Sequence, residues 1–440
     1  MRKSIVDIWL ITPLQKFINN STTSGIILFV SALIALIAAN SPWAEEYHHI
    51  WEHKFSIGYD DFVISKDLHH WINDGLMAIF FFVIGLELKR EIIAGELSSP
   101  KDAVLPLAAG LGGMVVPALI YLAFNASGQS SNGWGIPMAT DIAFALGILY
   151  LLGNRVPLSL KIFLTALAIA DDLGAVLVIA FFYTSNIDFI SLAVGGAFMA
   201  VLIIANLIGV RNTTFYGVVG IAGLWLAFLM SGVHATIAAV LAALTIPAYV
   251  KFDEDSFSKS ARTLMSEFDK AERTDDKLVS KEQLYVLEKF KYLSKEAMTP
   301  LQRLEHALHP FVAFVVMPIF ALANAGVTFS GNFSDNVFSP VALGIIFGLI
   351  IGKTVGIIGM SKLMVWLKLA KLPDGVRWPH IYGASLLAAV GFTMSLFITE
   401  LAFTDANYIL QAKIGILVAS FIAGLAGYVL LRKTTSNSRE

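Results

Sequence analysis

Runs of about 20 apolar residues recur along the chain, each long enough at 1.5 Å per residue to cross the hydrocarbon core of a bilayer. Their positions predict about twelve membrane-spanning helices, at roughly 14–40, 69–92, 103–125, 134–153, 157–183, 188–209, 213–229, 232–249, 301–325, 339–364, 378–401 and 408–431. The seventh and eighth are short and also read as one re-entrant pair. Two polar stretches interrupt the pattern. In residues 42–68, Phe55, Ile57 and Tyr59, then Phe62 and Ile64, alternate with polar positions, which predicts a β-hairpin turning near Asp60–Asp61. Residues 251–300 are charged and mixed in sign, and the spacing of apolar positions from Leu284 to Leu293 predicts an amphipathic helix on a solvated loop.

Composition supports many spans rather than one large soluble core. Of the 440 residues, 56% are hydrophobic and 15% charged, against about 25% charged in soluble domains, and mean hydropathy is +0.71. The whole of 1–440 therefore reads as a single membrane domain. A formal net charge of −2 speaks against a nucleic-acid partner. The absence of cysteine removes disulfides, thiol catalysis and cysteine metal sites. No nucleotide-binding motif is found, and Met1–Asn20 lacks the pattern of a cleavable signal peptide.

Basic residues fix an expected orientation. Arg2, Lys3 and Lys16, then Lys89, Arg90 and Lys101, then Arg155 and Lys161, then Arg211, the many between Lys251 and Arg303, then Lys362 to Arg377, and finally Arg432 and Lys433 all fall on one side of a twelve-span chain. The opposite loops hold Lys54 and Lys66 and almost nothing after them. By the positive-inside rule both termini are expected in the cytoplasm, with 42–68 outside and 251–300 inside.

Against this apolar background a few charges stand out. A carboxylate at mid-membrane costs about 2.5–3.5 kcal/mol on insertion scales. The fifth span nevertheless carries Asp171 and Asp172 in succession, about 14 residues, or roughly 20 Å, from its cytoplasmic end. Neighbouring helical residues point about 100° apart, so the two share a depth but face different partners. Two close carboxylates resist ionising together, and their oxygens bind a proton or a hard cation such as Na⁺ or Li⁺ in competition. The plain alternative is a polar pair that only joins helices. In the fourth span, Pro137 disrupts the helical ladder just before Thr140 and Asp141, so these two are placed to cap a half-helix starting mid-membrane. In the tenth, Lys353 lies at a matching depth amid Gly344, Gly348, Gly352 and Gly356, a small-residue face that admits close helix approach. A lysine there needs a carboxylate, and Asp171 or Asp172 is the natural one.

Near the cytoplasmic ends, Glu87, Arg90 and Glu91 close the second span, and Glu305, His306 and His309 open the ninth. Together they read as an acidic mouth with groups that titrate near neutral pH, or as interface anchors. His234, starting the eighth span, reads equally as a packing residue or a sensor. Glu-His-x-x-His is not a zinc-protease order, and no metal centre of that kind is expected.

Six motifs in order, Gly-Leu-Glu-Leu-Lys-Arg-Glu (85–91), Ala-Thr-Asp-Ile-Ala-Phe (139–144), Asp-Asp-Leu-Gly-Ala (171–175), Ser-Gly-Val-His-Ala-Thr (231–236), Leu-Glu-His-x-Leu-His-Pro (304–310) and Gly-Lys-x-x-Gly-Ile (352–357), resemble the NhaA family of Na⁺/H⁺ antiporters. The resemblance implies twelve helices in inverted-topology repeats, spans three to five against ten to twelve, with the fourth and eleventh broken and crossing at the midplane. It implies Na⁺ or Li⁺ exchanged for H⁺ without a cofactor, Asp172 as main ligand, Asp171 paired with Lys353, and Thr140 and Asp141 balancing the broken helix ends. Glu87, Arg90, Glu91, Glu305, His309 and His234 correspond to the pH response. A bacterial inner-membrane location, electrogenic exchange, lipid contact and a homodimer formed partly through the external hairpin follow from the same resemblance. The 251–300 segment is longer than the family pattern. The rival readings are an intramembrane aspartyl protease using Asp141 and Asp171, and a same-fold Na⁺-coupled symporter for an organic anion.

Overall fold

A computed structural model of the chain describes residues 21–60, 62–184, 187–272, 278–329 and 333–436. The start of the first predicted span, with Lys16, Arg2 and Lys3, and Asp61 of the predicted turn lie outside these residues.

The molecule is a helical bundle with one small sheet. Helix α1 (Ser21–Ala39) turns through 114° into α2 (Ala44–Glu52). Strands β1 (Lys54–Tyr59) and β2 (Phe62–Asp67) follow, paired antiparallel with Ile57 opposite Ile64. The hairpin forms where period-two alternation predicts it, and Asp60 takes the left-handed conformation (φ 55°) the tight turn needs. A π turn at Trp71–Leu76 leads into α3 (Met77–Ala94), and α4 (Pro100–Phe124) comes next. A 3-10 segment, Gln129–Met138, precedes α5 (Ile142–Leu151), then α6 (Leu158–Phe182), α7 (Phe189–Leu207), α8 (Thr213–Ser231) and the short α9 (Ala235–Thr245).

The amphipathic helix predicted from Leu284 to Leu293 forms as the second of a pair, α10 (Glu254–Lys270) and α11 (Lys281–Ala297), packed on each other, and α10 has no counterpart in the sequence reading. Val286 and Leu293 of α11 are buried, and Phe257, Leu264 and Phe268 of α10 are half-buried. Each helix opens on a side-chain cap, from Asp253 and Ser280. The chain re-enters the bundle at α12 (Pro300–Asn324), whose Thr299–Gln302 capping box fixes its start. After a short turn of helix at Phe333–Val337 come α13 (Pro340–Trp366), α14 (Trp378–Ala388), α15 (Phe392–Ala402) and α16 (Ala406–Ser436).

Among the described residues, eight helices are long and apolar enough to cross a membrane, or ten with two bent pairs. Their outward faces are apolar: Leu107, Leu111, Val115 and Leu119 recur every four residues along α4 and are exposed, a stripe that hydrocarbon solvates and water does not.

Candidate ion-binding site

Two interrupted helices meet at the centre of the bundle. The first break is Ala139–Asp141, between the 3-10 segment and α5. The second is Ala389–Gly391, where α14 and α15 meet at 44°. Each break strands backbone groups that water cannot reach, so each must be satisfied by protein. The two breaks satisfy each other. Asp141 N–H donates to Val390 O at 2.7 Å. Asp141 Oδ1 accepts from Phe144 N–H at 2.9 Å, capping α5, while Oδ2 accepts from Thr393 N–H at 3.1 Å and Thr393 Oγ1 at 2.6 Å, capping α15. One carboxylate thus serves the positive ends of two helix dipoles. Ser420 Oγ takes the adjacent Phe392 N–H at 3.2 Å, and Ser395 Oγ donates to Ile136 O at 2.8 Å.

The small-residue face of α13 brings Lys353 to this crossing. A Cβ on Gly352 would lie 2.7 Å from Pro117 Cα of α4, and one on Gly348 2.9 Å from Pro137 Cβ. Gly356 lies directly against Gly112, backbone to backbone. A π turn over Gly348–Lys353 occupies the same stretch, a feature frequent at functional positions. Lys353 is fully buried. Its Nζ lies 2.6 Å from Asp171 Oδ2 and also donates to Thr140 Oγ1. The Thr140 hydroxyl has two acceptors at 2.8 Å, Asp171 Oδ2 and Ala388 O at the end of α14.

Asp171 and Asp172, both on α6, are treated very differently. Asp171 keeps only Oδ1 without a partner, facing Gly110 of α4, where a Cβ would sit 3.2 Å from it. Asp172 is equally inaccessible, and neither of its oxygens has a hydrogen-bond partner among the described residues. Three buried carboxylate oxygens are therefore open at one depth. A buried carboxylate in this condition is costly unless it holds a proton or a cation.

The structure gathers Asp141, Thr140, Asp171, Asp172 and Lys353 as the sequence predicts, with the lysine choosing Asp171. The peripheral residues assemble only in part. Arg90 joins Glu305 across α3 and α12 and reaches Glu91 at 3.0 Å. Glu87 and His309 form no hydrogen bond or ion pair among the described residues, and His309 is exposed. His234 stands at the start of α9 with Nε2 2.8 Å from Tyr183 O, a contact that ties α9 to the end of α6.

Two roles escape a reading of the sequence alone. Lys89 donates to Leu244 O at 2.7 Å and Ile246 O at 2.5 Å, capping the short α9. Its position at the end of an apolar span looks the same as any interface lysine. Ser420 sits in an ordinary apolar helix, and only the crossing of α15 gives its hydroxyl a partner.

Comparisons with known proteins identify the family. A family model described as Na+/H+ antiporter 1 matches residues 15–431. The chain is 53% identical over 424 residues to the Na(+)/H(+) antiporter NhaA of Oleidesulfovibrio alaskensis, covering 96% of this chain and 94% of that one. It is 48% identical over 427 residues to the Na(+)/H(+) antiporter NhaA 1 of Saccharophagus degradans, covering 96% and 92%. It is 48% identical over 426 residues to the Na(+)/H(+) antiporter NhaA of Acidithiobacillus ferrooxidans, covering 96% and 97%. With the apolar helices, these matches mark a multi-pass bacterial membrane protein, and the chain belongs to the Na⁺/H⁺ antiporter 1 family.

Proposed function

We propose that this protein is a secondary antiporter that expels Na⁺, or Li⁺, in exchange for external protons at Asp171 and Asp172. The observation that carries the reading is Asp172, fully buried beside the Asp171–Lys353 pair with both oxygens open. Its charge has no partner, so a proton and a desolvated alkali cation are the two neutralising choices. Neither can stay when the other binds, and that competition is the chemistry of exchange. Asp171 Oδ1 adds a third hard oxygen, while Lys353 holds the remaining Asp171 oxygen.

Alternating access follows from the same geometry. The two breaks are joined to each other through Asp141, so α5 and α15 can move as a unit around a site of fixed depth. Twelve crossings result when α3, with its charged end, and the short α9 are added to the long apolar helices and the two bent pairs. The trios α4–α6 and α13–α16 each hold one broken span in the middle, the arrangement of an inverted repeat. Both termini then lie in the cytoplasm of a bacterial inner membrane, with β1 and β2 outside as a surface for a homodimer. More than one proton moving per Na⁺ makes the exchange electrogenic. Arg90, Glu91 and Glu305, with Glu87, His309 and His234, are the groups through which cytoplasmic pH acts. The α10–α11 hairpin hangs from the same end: Arg211 Nε pairs with Glu296 at 3.1 Å, and its Nη2 donates to Met298 O at 3.0 Å.

The protease reading loses its dyad because Asp141 has both oxygens occupied by Phe144 and Thr393. The organic-anion symporter has no support in the comparisons. The test is dye-reported proton flux in everted vesicles with Asp172→Asn. Wild type should show Na⁺-dependent flux rising toward alkaline pH, and the variant none despite normal insertion. Robust Na⁺-dependent flux in the variant would refute the proposal.

A further inference from the structure

At the end of the molecule where α4 and α6 begin and α13 ends, a cavity of about 720 Å³ opens between the three. Its volume lies within the roughly 300–1,000 Å³ range of small-molecule sites. It borders the Arg90–Glu305 cluster at one point, where Glu96 N–H donates to Glu91 Oε2 at 3.1 Å, and its lining shares no residue with the ion site. Three lysines face it, Lys101 on the first turn of α4 and Lys368 and Lys371 on the loop after α13. So do three acids, Glu96, Asp102 and Asp374. None of these six side chains is ion-paired or hydrogen-bonded among the described residues. The starts of α4 and α6 carry no side-chain cap, and the N–H groups of Asp102 and Leu160 are held instead by the backbone carbonyls of Ser99 and Pro157. Lys368 holds a left-handed φ of 59°, a conformation that glycine fills more readily.

The other wall is apolar, formed by Leu105, Ile162, Phe163 and Leu369. Ile162 and Leu369 are also exposed, and Trp366, just before the loop, is 76% exposed. A tryptophan left open where a span ends marks the level of the bilayer interface. The cavity therefore lies between headgroup and acyl-chain regions, on the side where the basic residues of the chain collect. Lys101, Asp102, Lys368, Lys371 and Asp374 are exposed and Glu96 half-buried, so a ligand that takes the place of their water on both signs carries both charges, and one that covers the apolar wall carries hydrocarbon.

We infer that this cavity binds one zwitterionic aminophospholipid, its phosphate held by Lys101, Lys368 and Lys371, its ammonium by Glu96, Asp102 and Asp374, and its chains laid along the apolar wall. The inference rests on the membrane reading of the fold but not on the identity of the transported ion. A primary ammonium donates hydrogen bonds to carboxylates, whereas a choline headgroup has no N–H to donate. Phosphatidylethanolamine is thus preferred over phosphatidylcholine by the acids, and over phosphatidylglycerol by the same groups acting against a plain anion.

The test uses the purified full-length protein in detergent, supplied in turn with dioleoyl phosphatidylethanolamine, phosphatidylcholine and phosphatidylglycerol, and native mass spectrometry under activation that strips loosely held lipid. Wild type should retain one phosphatidylethanolamine per protomer, bound about tenfold more tightly than the other two. The Lys368→Gln/Lys371→Gln variant should lose that retained lipid while keeping the wild-type thermal midpoint without added lipid. Asp102→Asn should erase the preference for phosphatidylethanolamine over phosphatidylcholine. Equal retention of phosphatidylglycerol by wild type would overturn the zwitterionic assignment, and unchanged retention by the lysine variant would overturn the site. Na⁺-dependent flux in proteoliposomes is read on the same samples. Its absence in wild type would count against antiport alone, because lipid retention is scored independently.

Discussion

Lys353 Nζ lies 2.6 Å from Asp171 Oδ2 and reaches no other carboxylate among the described residues, so one of two adjacent buried acids is neutralised and the other is left open. The asymmetry comes from helical geometry. Asp171 turns toward α4, α13 and Thr140, while Asp172 turns about 100° away from them. Removing the lysine strands Asp171. Lys353→Met should destabilise the protein by about 3–5 kcal/mol, the usual cost of breaking one side of a buried pair. Lys353→Met/Asp171→Asn should recover much of that loss, since the remaining buried groups are neutral. Thermal unfolding of the single and double variants in the same detergent checks this. Equal midpoints for the two would show that a stranded Asp171 charge is not the source of the loss.

Asp141 caps two helices at once, and its substitutions separate charge from hydrogen bonding. Loss of an N-cap costs about 0.5–2 kcal/mol, and Asp141→Ala removes two in a place without water. Asp141→Asn keeps one acceptor oxygen but turns an amide N–H₂ toward a backbone N–H that only donates, leaving at best the Thr393 hydroxyl to accept from it. The expected order of stability is wild type, then Asn, then Ala. Exchange should fall in the same order, because α5 and α15 lose their common anchor. Vesicle flux and thermal midpoints measured together test the order, and an Ala variant as stable as wild type would remove the capping account.

Much of this centre is legible in the sequence because charges in apolar spans have few uses. Asp141, Asp171, Asp172 and Lys353 each break an otherwise apolar run, and Pro137 announces the first break. The second break is fainter. Gly391 lies in it, and Thr393, in the first turn of α15, serves as a donor to Asp141. The pairing of Lys353 with Asp171 rather than Asp172 depends on which face of α6 meets α13, which spacing alone leaves open. Helices α2 and α10 went unread for another reason: both are polar overall, and the few apolar residues on the packed face of α10, Phe257, Leu264 and Phe268, are widely spaced among charges. Lys89 and Ser420 find their roles only through contacts made across distant segments.

The placement of Lys353 depends on two glycines in contact. A methyl group on Gly356 would overlap the carbonyl oxygen of Gly112, and neither backbone can yield without parting α13 from α4. Gly356→Ala should therefore cost about 1–3 kcal/mol from overpacking and shift Lys353 away from Asp171. Gly359, one turn along the same helix, has nothing within 4 Å of an added Cβ. Gly359→Ala is the matched control, expected to be neutral or slightly stabilising because alanine is the better helix former. Flux and thermal midpoint of the two variants should diverge. A Gly356→Ala protein that matches its control would mean the close approach has no part in setting the site.

The hairpin is tied to the bundle by a group whose protonation can be followed. Asp67 ends β2 and opens the helical turn that leads to α3, accepting from His70 N–H and His70 Nδ1 at 2.7 Å each. Partial burial pushes its carboxyl upward, but the two His70 hydrogen bonds and the charges of His70 and His69 outweigh it and hold the group below its ordinary value. A depressed carboxyl stabilises the fold above the range of an unfolded aspartate, and the contribution disappears as pH falls through the lowered value. The cap should thus be intact at neutral pH and loosen only in acid, below about pH 4. Hydrogen exchange of residues 54–70 should show protection that fades across that window in wild type and is already reduced, with no pH step, in Asp67→Asn. Protection that stays constant through the acid range in wild type would remove the Asp67 carboxylate from the anchoring of the hairpin.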